Sequence, residues 1–137
     1  MRQLSKTRRP LRLAVAGLML ADAAIHAWVA PEHFEHWWAF GMFFLVLAVM
    51  QFAYGASVLL SANPLLVLAG ISINLVLCAI YLESRTVGIP IGPHAGYVEA
   101  VTLIDLASKG IEVAAIILLV ALWRLRPRAK PAPETAK

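Results

Sequence analysis

The chain is poor in cysteine and in charge. Its single cysteine, Cys78, excludes an intramolecular disulfide and any thiolate cluster for zinc or iron–sulfur. Set within an apolar run, it reads as a small apolar filler. Charged residues make up 15% of the 137 residues against 61% hydrophobic ones, and the mean hydropathy is +0.75, which excludes an ordinary soluble domain of this length. Hydrolase signatures are missing as well: there is no Gly-x-Ser-x-Gly and no His-Glu-x-x-His, and Ser108 beside Lys109 has no base at a useful spacing. Lys109 shares its helix face with Asp105 and Glu112, so it reads as an ion-paired ammonium rather than a nucleophile. The sequence therefore offers no catalytic residue.

What the chain has is apolar length. Crossing about 30 Å of hydrocarbon takes about 20 helical residues, and four segments qualify: Leu11 to Ala30, Trp37 to Leu60, Pro64 to Leu82, and Val98 to Trp123. The net charge of +4 does not point to nucleic acid, because the basic residues gather at the two ends. Arg2, Lys6, Arg8, Arg9 and Arg12 precede the first segment, while Arg124, Arg126, Arg128, Lys130 and Lys137 follow the last. The positive-inside rule puts both ends in the cytoplasm. The expected fold is thus an all-α, up-down-up-down four-helix transmembrane bundle over residues 1–126, with a basic, Pro-rich cytoplasmic tail over 127–137. Arg8-Arg9 ahead of an apolar run has the look of an export signal. Asp22 inside that run and the three later apolar segments point instead to a retained helix.

Local signals refine the layout. Asn63 is placed to cap a helix that begins at Pro64, so Ser61-Ala62-Asn63 is a tight inner turn. Pro31 to His36 and Glu83 to Tyr97 are then the outer connections. The glycines and prolines of the second stop a helix, and its Val87, Ile89 and Ile91 are apolar enough for it to fold back over the bundle as a lid. Trp28, Trp37 and Trp38 mark the outer interface and Trp123 the inner one. Gly41, Gly55 and Gly70 are expected where helices approach closely.

Ionisable residues inside the apolar segments carry the functional question, since hydrocarbon makes each of them expensive to bury. Asp22 and His26 are four apart, and Asp105, Lys109 and Glu112 recur at i, i+4 and i+7, so each set occupies one helix face. Matching depths in antiparallel helices pairs His26 with Asp105 and Asp22 with Lys109, with Asn74 and Gln51 extending a buried polar network. Such a network can fix helix packing, relay protons or conduct an ion. A second group collects at the outer rim: Glu32, His33 and His36, with Glu83, His94 and Glu99 from the other connection and His26 below. Its nitrogen and oxygen donors suit a divalent transition metal. Haem fits less well, because His26 is the lone imidazole inside an apolar segment.

Tyr81-Leu82-Glu83-Ser84-Arg85-Thr86-Val87-Gly88-Ile89-Pro90-Ile91-Gly92-Pro93, with Asp105 and Glu112 beyond it, resembles a group of small bacterial four-span integral membrane proteins of uncharacterised function. Gly41-Met42-Phe43-Phe44 followed by Gln51 is similar to the same group, so the resemblance runs from His26 to Glu112. It implies a fold and a location in the bacterial cytoplasmic membrane, and carries no activity. The expected role is a non-enzymatic subunit or accessory protein that meets other membrane subunits, or further copies of itself, among membrane lipids. The competing expectations are the outer metal site, supporting redox chemistry or metal delivery, and a proton or ion path.

Overall fold

A computed structural model describes residues 2–126, with side chains from Thr7 onward; the expected cytoplasmic tail, 127–137, lies outside the described residues. Four helices account for most of them: α1 (Arg2–His36), α2 (Trp38–Leu60), α3 (Pro64–Thr86) and α4 (Leu103–Arg124). Three are long and apolar enough to cross a membrane, over Thr7–His36, Trp38–Leu60 and Pro64–Thr86. The all-α class follows from these runs, and no strand occurs among the described residues.

The ends of the helices explain their lengths. Pro31 removes one backbone donor but does not end α1, so the run expected as an outer connection, Pro31 to His36, forms the last turns of that helix. The break falls at Trp37, extended at φ −168°, ψ 133°, and this one residue joins α1 to α2. Asn63 caps α3 as expected, its side chain accepting from the Leu66 amide at 2.8 Å, with Pro64 in the first turn. Helix α3 closes where the Val87 and Gly88 amides both reach the Glu83 carbonyl, at 3.0 and 2.9 Å. Gly88 then takes φ +80°, against the backbone of Gly96 and Tyr97, a conformation and a space that suit glycine alone.

Helix α4 starts five residues later than its apolar run. Thr102 accepts from the Asp105 amide while the Asp105 carboxylate accepts from the Thr102 amide, a reciprocal cap that fixes the first turn. The residues before it have no regular structure and are tied back to α3 by the Glu99 amide on the Ser84 carbonyl at 3.1 Å.

In cross-section the order is α2, α1, α4, α3. Helix α1 packs closely on α2 and on α4, and α4 packs closely on α3. Close approach of α1 and α2 uses Gly55, where an added Cβ would meet the Ala16 carbonyl at 3.3 Å. Near their shared turn α2 and α3 are linked by Tyr54, whose hydroxyl donates to the Leu66 carbonyl at 3.1 Å. Farther along they part around an apolar cleft of about 270 Å³ lined by Phe43 and Leu47 on one side and Ser72, Ile73, Val76, Leu77 and Ile80 on the other. The outer loop reaches across this end: Gly92 lies against Trp37 and Phe40. Ile89 is half-buried beneath the loop, whereas Val87 and Ile91 point outward, so the lid is narrower than the apolar sequence suggests.

An apolar core fills the opposite half of the bundle. Val15, Met19, Val58, Val67, Ala115, Leu119 and Leu122 form one cluster, each nearly or wholly inaccessible. Arg8 and Arg12 lie beyond it and donate to the last carbonyls of α2 and its turn, Arg8 to Ala62 at 2.9 Å and Arg12 to Val58 at 2.9 Å and to Leu59. Cations at a helix C-terminus satisfy carbonyls that have no partner within the helix.

Candidate functional site

The stripe that carries Val15 and Met19 along α1 continues as Asp22 and His26, and the stripe that carries Leu119 and Ala115 on α4 runs back to Glu112 and Ser108. The two polar halves meet, joined by Gln51 from α2. Asp22 and Glu112 are 0% exposed, and His26, Gln51 and Ser108 are each 4% exposed.

Hydrogen bonds connect them in a defined sense. Gln51 Nε2 donates to Asp22 Oδ2 at 2.6 Å, and Ser108 Oγ donates to Asp22 Oδ1 at 2.7 Å. With its amide nitrogen turned to the carboxylate, Gln51 presents Oε1 to His26 Nδ1 at 2.7 Å, so that ring nitrogen is the donor. The reverse amide orientation would set oxygen against oxygen at Asp22. His26 Nδ1 is also 3.8 Å from Asp22 Oδ2. Glu112 pairs through Oε1 with Lys109 of its own helix and accepts the Cys78 thiol on Oε2 at 3.4 Å. Lys109 also lies 5.5 Å from the centre of the Tyr81 ring. Asn74 donates to the Gly70 carbonyl at 2.8 Å, and its own Oδ1 is buried without a partner.

These contacts replace the pairs expected from depth. Asp105 does not reach His26: it is half-buried, closes the α4 cap and binds Arg85 Nη2 at 2.8 Å. Lys109 does not reach Asp22, because Glu112, one turn along its own helix, is nearer. Asp22 is satisfied by two neutral donors, Gln51 and Ser108. Of the expected network, Asp22, His26, Asn74 and Glu112 are buried; Asp105 and Lys109 are half-buried.

The expected rim ligands are dispersed. His33 and His36 turn their Nδ1 atoms back to carbonyls four residues earlier, Val29 and Glu32, both at 2.9 Å. The His33 ring packs on Phe44 at 4.0 Å between centres. Glu32, Glu83 and His94 are exposed, and Glu99 pairs with Arg85. Among the described residues, metal-ligating atoms come together elsewhere: Asp22, His26 and Glu112 each offer one within 4.8 Å of the others. Only His26 belongs to both sets.

Three contributors carried little signal in the sequence. Gln51 is a neutral amide in an apolar helix, visible as an anomaly but without a charge to match. Ser108 shares a face with Glu112 at i, i+4, a spacing that points to the same seam. Arg85 draws the outer loop and α4 together through Glu99, Asp105 and the Ser84 hydroxyl, and stacks 5.0 Å from the Tyr81 ring.

Comparison with protein-family models, with curated proteins and with solved structures returns no match to this chain. The class is therefore set by the fold and composition alone: an all-α chain with three helices apolar enough to span a membrane, and a buried polar cluster between α1, α2 and α4.

Proposed function

We propose that this chain is a small, non-enzymatic subunit or accessory protein of a larger assembly in the bacterial cytoplasmic membrane. All four helices cross the bilayer in alternating directions, with both termini in the cytoplasm. The arginines against the α2–α3 turn mark the inner side, and exposed Trp28 and Trp38 mark the outer side. The buried cluster fixes how α1, α2 and α4 pack, since its carboxylates are engaged with groups of the bundle rather than with an open cavity.

The observation that carries this reading is the parting of α2 from α3. Chain neighbours in a closed bundle pack along their length, whereas here an apolar cleft of about 270 Å³ opens between them toward the lipid. A helix or acyl chain from a neighbour would complete that side by van der Waals packing. Little of the chain projects beyond the helices, so recognition in the plane of the membrane suits its build. The alternative of a metal site at the outer rim draws no support from His33 and His36, whose Nδ1 atoms bond to carbonyls of their own helix, or from His94, which is exposed.

Extraction of native membranes in mild detergent tests the proposal. The 14.9 kDa chain should run in a particle well above its own mass plus micelle, and Val76→Trp, which fills the cleft, should release it while helical content is kept. A monomer in the gentlest detergent, or an assembly indifferent to the filled cleft, would rule this role out.

A further inference from the structure

The cluster between α1 and α4 has a chemistry that packing does not use up. One carboxylate oxygen from Asp22, one from Glu112 and one ring nitrogen of His26 lie within 4.8 Å of one another, all on buried residues. The formal charges do not balance. Two carboxylates face one ammonium, Lys109, and that ammonium is engaged by Glu112. Asp22 is met only by the neutral donors Gln51 and Ser108 and by an imidazole. An uncompensated charge in a low-dielectric interior is costly, and a bound cation removes that cost.

We propose that Asp22, His26 and Glu112 hold one divalent transition-metal ion. The donor set, one nitrogen and two carboxylates, is that of zinc, cobalt(II), iron(II) or manganese(II). Calcium and magnesium are hard ions that favour oxygen donors throughout, so the imidazole nitrogen favours a transition metal. The carboxylates keep capacity for the ion, and with Nδ1 donating to Gln51 the His26 ring would ligate through Nε2. A carboxylate oxygen that accepts one hydrogen bond retains a second lone pair, and Glu112 Oε2 is met only by the Cys78 thiol at 3.4 Å. The surrounding contacts resemble the outer shell of a metal centre: Gln51 steadies both the imidazole and Asp22, and Ser108 steadies Asp22 from the other side. Asn74, 2% exposed and one turn from Cys78 on α3, carries the buried oxygen without a partner. The site is independent of whether a partner subunit fills the α2–α3 cleft.

The test uses the full chain, purified in detergent, stripped with chelator and titrated with Zn2+ by calorimetry and with Co2+ by visible absorption. One Zn2+ per chain should bind, and Co2+ should develop ligand-field bands. His26→Gln and Glu112→Gln should weaken binding at least about tenfold, and Ser108→Ala, which keeps all three ligands, should weaken it by a smaller factor. His33→Ala/His36→Ala should bind as the parent does. Far-UV ellipticity and elution volume qualify each variant as folded. If Glu112→Gln does not fold, His26→Gln and Ser108→Ala decide. Absence of stoichiometric Zn2+ in the parent chain, parental affinity in the folded ligand variants, or loss of binding on changing His33 and His36 would each overturn the proposal.

Discussion

Replacing Gln51 by leucine keeps most of the side-chain volume and removes both of its buried hydrogen bonds, to Asp22 at 2.6 Å and from His26 at 2.7 Å. A bond to a charged group contributes about 1.5–3 kcal/mol and a neutral one about 1 kcal/mol. Membrane interiors temper such values, with interhelical polar bonds averaging about 0.6 kcal/mol, because helices separated in lipid find other partners. Asp22 is the exception that sets the scale. At 0% exposure it would retain Ser108 as its one remaining hydrogen-bond donor from another residue at close range, so the loss is governed by a carboxylate short of a donor. The expected destabilisation is about 2 kcal/mol. Adding Asp22→Leu removes the stranded carboxylate, so the double variant should be no less stable than Gln51→Leu alone, a coupling of about 1–2 kcal/mol. Reversible unfolding in mixed micelles, followed by far-UV ellipticity and tryptophan fluorescence, measures the cycle. A Gln51→Leu chain within about 0.5 kcal/mol of the parent, or losses that simply add, would refute the bridging role of Gln51.

Two further outcomes follow from the outer loop. Arg85→Met should raise amide exchange across residues 87–102 while α1 and α2 keep their protection, with a global loss of no more than about 1 kcal/mol because Glu99 is substantially exposed; unchanged exchange there would show that Arg85 does not hold the loop. Gly88→Ala should cost about 1–3 kcal/mol, since φ is +80° and the Gly96 and Tyr97 backbone occupies the space. Gly17→Ala, which meets nothing within 4 Å, should be neutral or slightly stabilising when both variants are unfolded in mixed micelles, and equal effects from the two would contradict the positive-φ account.

Much of the architecture was legible because it follows from lengths and caps. Apolar runs separated by Asn63-Pro64 and by a loop rich in glycine and proline predict four helices, and four are present. The inward faces of Asp22, His26 and Glu112 follow from helical spacing alone. Their partners do not. Depth matching treats helices as rods with charges at fixed heights, but Asp105 has a closer use in the first turn of α4, where Thr102 and Arg85 claim it. Lys109 has a flexible stem and a carboxylate one turn away, so a local pair wins over one across the bundle. Local geometry matters for the rim histidines also: at the end of a helix that runs through Pro31, their rings bond to its own carbonyls. Gln51 gives the weaker signal because a neutral amide brings no charge to balance, although donor and acceptor on one side chain are what an aspartate beside a histidine requires.

The seam between α1 and α4 changes character halfway along, and this decides what it can do. Val15, Met19, Asp22 and His26 on α1 face Leu122, Leu119, Ala115, Glu112 and Ser108 on α4, so each stripe is apolar toward the arginine end and polar toward the outer loop. A path for protons or ions through the bundle would need polar groups or water at every turn. From Met19 and Ala115 onward, the seam instead holds Val15, Leu119 and Leu122, all at 0% exposure, with Val58 and Val67 closing it from α2 and α3. Apolar side chains of this depth offer no hydrogen-bonding group to a water chain. The polar cluster thus occupies one half of the seam and the apolar cluster the other. Ligand atoms of Asp22, His26 and Glu112 converge there within 4.8 Å, tied by Gln51 and Ser108, so the contacts that join α1, α2 and α4 in this half are polar and directional where those of the other half are apolar.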